Sequence, residues 1–394
     1  MKKITIAIAV LLLIGAGLYV LNNIAAAEAE RELDAMLAPK FKEANASYGS
    51  LAVNPGAGTV TLFDVVAEEE EMTIGQMSFT SNYEDIIAAA QGTPEFLHGL
   101  KVHVEDLDIK VDGDQVELNS ADLDLDGLID LKAAADDPEK WLTDFMEQEE
   151  AHVSINGKGW RIESEELAEE FGFPSNMLRL DAFDVDLDRD GDDVDATISV
   201  ESPDLGNLRM EIDGNEEEIR NFEMAIEDLD ISQEEGVRMQ MGQSKFTASG
   251  RIPVDAIENS DPGSLLASEA GMKWSISLSD FSYTDPSLQR EGLPTDRLDI
   301  RTLEHDFNFT VEQLETSLDF ESSIGTVEMN LDWDIESMNP PAGMINELKL
   351  KLTDLPPNLF MMAEALPLPM TPEGDNGLSF SFSGTLDQLM AIGN

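Results

Sequence analysis

The residues best suited to chemistry are two acidic strings, Asp122-x-Asp124-x-Asp126-Gly127 and Asp186-x-Asp188-x-Asp190-Gly191. Alternate carboxylates closed by a glycine open the calcium loop of an EF-hand, where oxygens at positions one, three and five face the ion. Neither string completes that loop. Position twelve requires a bidentate glutamate, and it falls here on Ala133 and Thr197. The flanking residues also alternate as strands do, where an EF-hand needs helices. In so acidic a chain such strings arise from composition, so no metal residue is assigned. Loose cation binding at the turn Asp188 to Asp193 stays open beside that reading.

His98, His103, His152 and His305 are scattered, with no HExxH and no close pair at zinc-ligand spacing. Each is expected to be exposed or satisfied by a hydrogen bond. The chain has no cysteine, hence no thiolate, no disulfide and no acylated anchor. No GxSxG, Walker or dinucleotide-binding glycine pattern occurs, and carboxylate pairs are too common to nominate a glycosidase dyad. The expectation is a protein that is not an enzyme, with no catalytic residue and no cofactor.

Charge sets the next bound. Against 24 basic residues stand 81 acidic ones, a formal net charge of -57. Self-repulsion at that density is severe in dilute salt, and 1 M salt shortens the Debye length to about 3 Å. The simplest explanation is the solvated carboxylate surface of a salt-adapted protein; dedicated cation binding is the sharper alternative. Nucleic acid is excluded as a partner, because its binding relies on Lys and Arg displacing counterions, and no basic patch is visible. Anionic lipid headgroups are poor partners for the same reason.

The elements behind these residues begin with an uncharged apolar run, Ile4 to Leu21. Its length as a helix, about 27 Å, approaches the roughly 30 Å of bilayer hydrocarbon. Ile4, Ile8, Leu11, Leu12, Leu13, Ile14, Leu18 and Leu21 form the expected membrane anchor. Lys2 and Lys3 precede it, so the positive-inside bias keeps the N-terminus cytoplasmic and exports the rest. A cleaved signal peptide competes, with Ala25-Ala26-Ala27 as the small-residue site. The uncleaved anchor is preferred, because the run exceeds the usual h-region and AAAEAERELDAMLA continues it in good helix formers up to Pro39, which interrupts. Residues 1–24 are thus the anchor or uncleaved signal, 25–47 a juxtamembrane helix and linker, and 48–394 an exported β-rich body, divided as two similar modules at 48–257 and 258–394.

That body consists of short alternating runs between Gly, Asn and Asp, the signature of about fifteen antiparallel strands. Leu107 to Val111 and Val116 to Leu118 make a hairpin across Asp112-Gly113, and Phe183 to Leu187 returns through Val194 to Val200. Short helices are expected at 83–90, 138–149, 165–171, 264–270 and 358–365. The fold class is mainly β: a long antiparallel curled sheet or a β-sandwich with interspersed helices, behind one N-terminal transmembrane helix.

One unit recurs: apolar, any, apolar, any, Asp, apolar. It appears in VTLFDV, VHVEDL, MAIEDL, ISLSDF and LKLTDL, with Asp64, Asp106, Asp228, Asp280 and Asp354 at the fifth place. Apolar parity slips by one at each Asp. Side chains alternate faces along a strand, so the slip requires a bulge or strand end, where Asp bonds freed backbone amides. Met338, Met344, Met361, Met362 and Met370 add an adaptable apolar surface near the C-terminal end, suited to lining a groove if the sheet stays open.

With MKKITIAIAVLLLIGAGLYVL, then YGSLAVNPGAGTVTLFDVV, then strands of the VHVEDLDIKV type, the chain resembles the AsmA-like and TamB-like envelope proteins. That resemblance implies a periplasmic curled β-sheet with an apolar groove, acting in lipid movement or outer-membrane homeostasis, and it supplies no catalytic residues. The expected protein is anchored in the inner membrane with its body in the periplasm, and its partners are that membrane, lipid or envelope proteins. The alternative is an anchored β-sandwich that serves structure or interaction without lipid cargo, with or without bound cations.

Overall fold

The structure, a computed structural model, describes residues 26–392 apart from 44, 55–56, 68–70, 82–95, 112–113, 131–137, 165–175, 216, 233–236, 254–270, 289–294, 339–340, 365–367 and 375. The expected anchor residues Ile4 to Leu21 lie outside the described residues, as do the expected helices at 83–90, 165–171 and 264–270. Among the described residues no helix is long and apolar enough to cross a membrane. Two compact units divide the chain, Met1–Pro203 and Asp204–Asn394, and both are mainly antiparallel β.

The first unit opens with helix α1 (Ala26–Glu43) and continues as strands β1 (Ala46–Ser47), β2 (Ser50–Asn54), β3 (Thr59–Ala67), β4 (Met72–Ser81), β5 (Phe96–Val111) and β6 (Asp114–Asp130). Helix α2 (Pro138–Met146) precedes β7 (Glu150–Glu163), β8 (Met177–Asp190) and β9 (Asp193–Ser202). From β2 onward each strand pairs antiparallel with the next, and β1 lies on β3. Period-two alternation dictates this. In β3, Val60 and Leu62 turn to a buried face while Thr61 and Phe63 turn outward.

Helix α1 covers that face. Leu33, Leu37 and Phe41, spaced four apart and therefore on one side of the helix, are 0%, 1% and 3% exposed and join Val60, Leu62, Met77 and Phe79 in one cluster. Tyr48 stands edge-on to Phe41 and donates from its hydroxyl to Asp34 at 2.7 Å. Contrary to the sequence expectation, Pro39 does not end the helix. Proline forfeits only the one N–H bond that would reach Ala35, both residues are exposed, and the packed Leu37 and Phe41 hold the helix on either side.

The second unit comprises β10 (Gly206–Asn215), β11 (Glu218–Ser232), β12 (Arg238–Pro253), β13 (Met272–Thr284), β14 (Arg297–Phe309), β15 (Gln313–Ser322), β16 (Gly325–Met338), β17 (Pro341–Thr353), β18 (Thr371–Pro372) and β19 (Leu378–Thr385). Each strand from β10 to β17 pairs antiparallel with the next, β17 pairs with β19, and β18 lies on β19. Helices α3 (Pro357–Glu364) and α4 (Leu386–Ile392) flank β19 in the chain, and neither contributes a buried residue.

Candidate apolar face

The register of the second unit stacks side chains into rows, because residues paired across antiparallel strands point to the same face. The middle row runs Met210, Met224, Phe246, Ile276, His305, Leu318, Met329, Leu350 and Phe380, one residue from each of nine strands. A row on one side runs from Leu208 to Leu378 and is polar only at Ser244. On the other side, the row from Ile212 to Phe382 is polar only at Thr316. The intervening residues, such as Glu223, Lys245, Ser277, Glu304, Asp319 and Glu328, make the opposite face polar.

This apolar face is only half-covered. Ala248, Leu378 and Phe380 are buried, but the other apolar members of the three rows remain partly exposed. The local packing is side chain on side chain within the sheet: Trp274 stacks on Phe307 at 3.7 Å between ring centroids, and Phe222 lies 5.7 Å from Phe246. Exposed apolar side chains also occur on α3 and α4, with Met361, Met362 and Met390 at 64%, 68% and 62%. Met344 is exposed too, but it pairs with Asp334 and so lies on the polar face, while Met370 is half-buried. Apolar residues grouped in this way on one sheet face mark an interaction or ligand site more often than scattered exposure does.

The first unit contrasts with it by degrees. Its face from β2 to β7 packs into one buried cluster with α1 and Phe145 of α2, Val104, Leu123 and Ile155 staying partly exposed, and the same face is half-exposed at Phe183, Val185 and Leu187 of β8 and Ile198 and Val200 of β9.

The five recurrent aspartates occupy one kind of position. Asp64, Asp106, Asp228, Asp280 and Asp354 all have left-handed backbones, with φ of 54°, 53°, 55°, 52° and 56°. Pairing continues in constant register past most of them, as in Phe63 with Gln76 and Val65 with Ile74. Each stands beside a glycine: the Asp64 side chain by Gly49, in the bend before β2, those of Asp106 and Asp280 by Gly75 and Gly242 on neighbouring strands, and the backbones of Asp228 and Asp354 by Gly206 and Gly325. The glycines leave space. A β-carbon on Gly75 would sit 3.0 Å from that of Asp106. Asp suits such a site because it tolerates the left-handed region better than most side chains. Val60 and Leu62 are buried before Asp64, Val65 and Ala67 after it, so the slip keeps apolar residues on one face.

No protein-family model, curated protein or solved structure matches this chain.

The calcium-like strings are strand segments. Asp122 accepts from His103 Nδ1 at 2.7 Å, Asp124 pairs with Lys101, and Asp126 lies opposite His152. Gly127 has a packing role: a β-carbon there would meet the Phe145 ring at 2.9 Å. His103 also contacts Glu105 at 3.0 Å, and that bond, with the Asp122 contact, raises its pKa above the ordinary histidine value despite partial desolvation. His152 bonds Asp188 at 2.7 Å and lies 3.9 Å from Asp186. These three are the one metal-capable grouping among the described residues, formed by register between β7 and β8 rather than by sequence spacing. Exposed pairing of this kind is ordinary for an acidic sheet. A shallow depression of about 510 Å³ lies mainly over the polar side of the second sheet, lined by Lys273, Asp306, Glu315 and Asp332 among others, with no reactive constellation.

Proposed function

We propose that this is a non-catalytic, inner-membrane-anchored periplasmic protein that handles lipid or assists envelope assembly, in the manner of the AsmA-like and TamB-like proteins it resembles. The observation that carries the reading is the half-covered apolar face of the second unit, three rows deep across nine strands. Water contact with such a face is costly at roughly 25 cal/mol per Å², and acyl or isoprenoid chains remove it without demanding polar partners. A curled, unclosed sheet would turn the face into a groove. The uncharged run Ile4 to Leu21 supports the anchored location.

Purification of the full chain in high salt, followed by lipid extraction and mass spectrometry, tests the function. Co-purifying long-chain lipid is expected at a defined ratio to protein. No lipid, together with no uptake of an apolar fluorescent probe, would sink the reading. Reporter fusions after Asn23 and at the C-terminus test the topology, and N-terminal sequencing of the mature protein tests whether the anchor is retained.

A further inference from the structure

His305 occupies the centre of the apolar face: the middle row, on β14, the fifth of the nine strands that form it. Its row neighbours are Ile276 and Leu318, and the Trp274 ring lies 6.4 Å away. Its Nε2 is 3.0 Å from Thr316 Oγ1, on the diagonal of the next strand. Apart from Ser244, these two are the polar members of the three rows. No carboxylate, lysine or arginine stands in those rows.

Resting on the lipid reading above, we infer that the His305–Thr316 pair is the polar recognition point of the face and binds the single uncharged oxygen of a long-chain alcohol. A chain lying on this face covers the pair, and covering polar atoms without partners is unfavourable. The imidazole and hydroxyl satisfy each other once and retain further hydrogen-bonding capacity, since histidine has a second ring nitrogen and threonine a further lone pair. One hydroxyl, both donor and acceptor, fits that remainder. The charge pattern disfavours a charged head lying on these rows. An ionic head finds no counter-ion in the three rows, and a chain of net charge -57 further disfavours an anion.

The test uses the full chain in high salt with 1-N-phenylnaphthylamine, an uncharged apolar probe, displaced by 1-dodecanol or by laurate. Dodecanol should displace the probe more effectively than laurate. In His305→Leu and Thr316→Val its advantage should fall about fivefold, the loss expected for one hydrogen bond, while probe binding persists and His305→Gln retains most of the advantage. Unchanged displacement in His305→Leu, or laurate as the better competitor, overturns this inference and leaves the lipid reading standing. Failure of the wild-type chain to bind the probe overturns both.

Discussion

Asp280 takes a left-handed backbone, φ 52°, directly opposite Gly242, and a β-carbon on that glycine would stand 3.0 Å from the aspartate's own. The two residues are a matched pair, one supplying the conformation and the other the space. Gly242→Val should therefore destabilise the second unit by about 1–3 kcal/mol through overpacking. Asp280→Val should cost about 1–2 kcal/mol because a β-branched residue resists positive φ. Asp280→Gly should be close to neutral. Urea unfolding of the three variants checks the order, and equal losses for Asp280→Val and Asp280→Gly would remove the conformational explanation.

The two sheet faces predict different mutational costs. Leu37 is buried against the first unit's sheet, so Leu37→Ala should cost about 2–5 kcal/mol. Ile276 is half-exposed on the second unit's face, and Ile276→Ala should cost clearly less while reducing lipid or probe uptake. Thermal melts paired with probe titrations separate these effects.

His103 predicts a pH dependence. Its folded pKa is raised, first by the bond to Glu105 and also by Asp122. The stabilisation is therefore fully present below the unfolded-state value and is lost as pH rises through the higher folded value. The melting temperature of the wild type relative to His103→Gln should fall as pH moves from acidic to mildly alkaline. A constant or rising difference contradicts this assignment.

Salt should act on the whole chain. With a net charge of -57, lowering salt from about 2 M to about 0.1 M lengthens the reach of carboxylate repulsion several-fold and should depress the melting temperature. Cross-strand pairs such as Arg301 with Glu321 and Lys351 with Glu328 offset little of it, being exposed. An unchanged melting temperature would remove salt adaptation as the reason for the composition.

Much of the strand pattern was legible because alternation is a local property. VTLFDV carries both its strand and the slip at Asp64 within six residues, and the left-handed backbone falls at that slip. Coverage was not legible. Val60 and Leu62 alternate much as Val327 and Met329 do, yet the first pair is buried in the cluster with α1 and the second is half-exposed, a difference set by tertiary packing and not by the alternation itself. Register was hidden for the same reason: His103 meets Asp122 across a 19-residue separation, and the central position of His305 emerges only when nine strands are aligned. Pro39 misled because propensity weighs one residue, whereas Leu37 and Phe41 anchor the helix around it.

The neighbour-to-neighbour strand order within each unit has a kinetic meaning. From β2 to β9, and again from β10 to β17, each strand needs only the strand before it, so no early segment waits for a distant partner. Loop-closure entropy stays small at every step. A chain emerging from a ribosome or a translocation pore, N-terminal end first, can lay down its sheet one hairpin at a time. The unpaired edges are then limited to the first strand and the latest one.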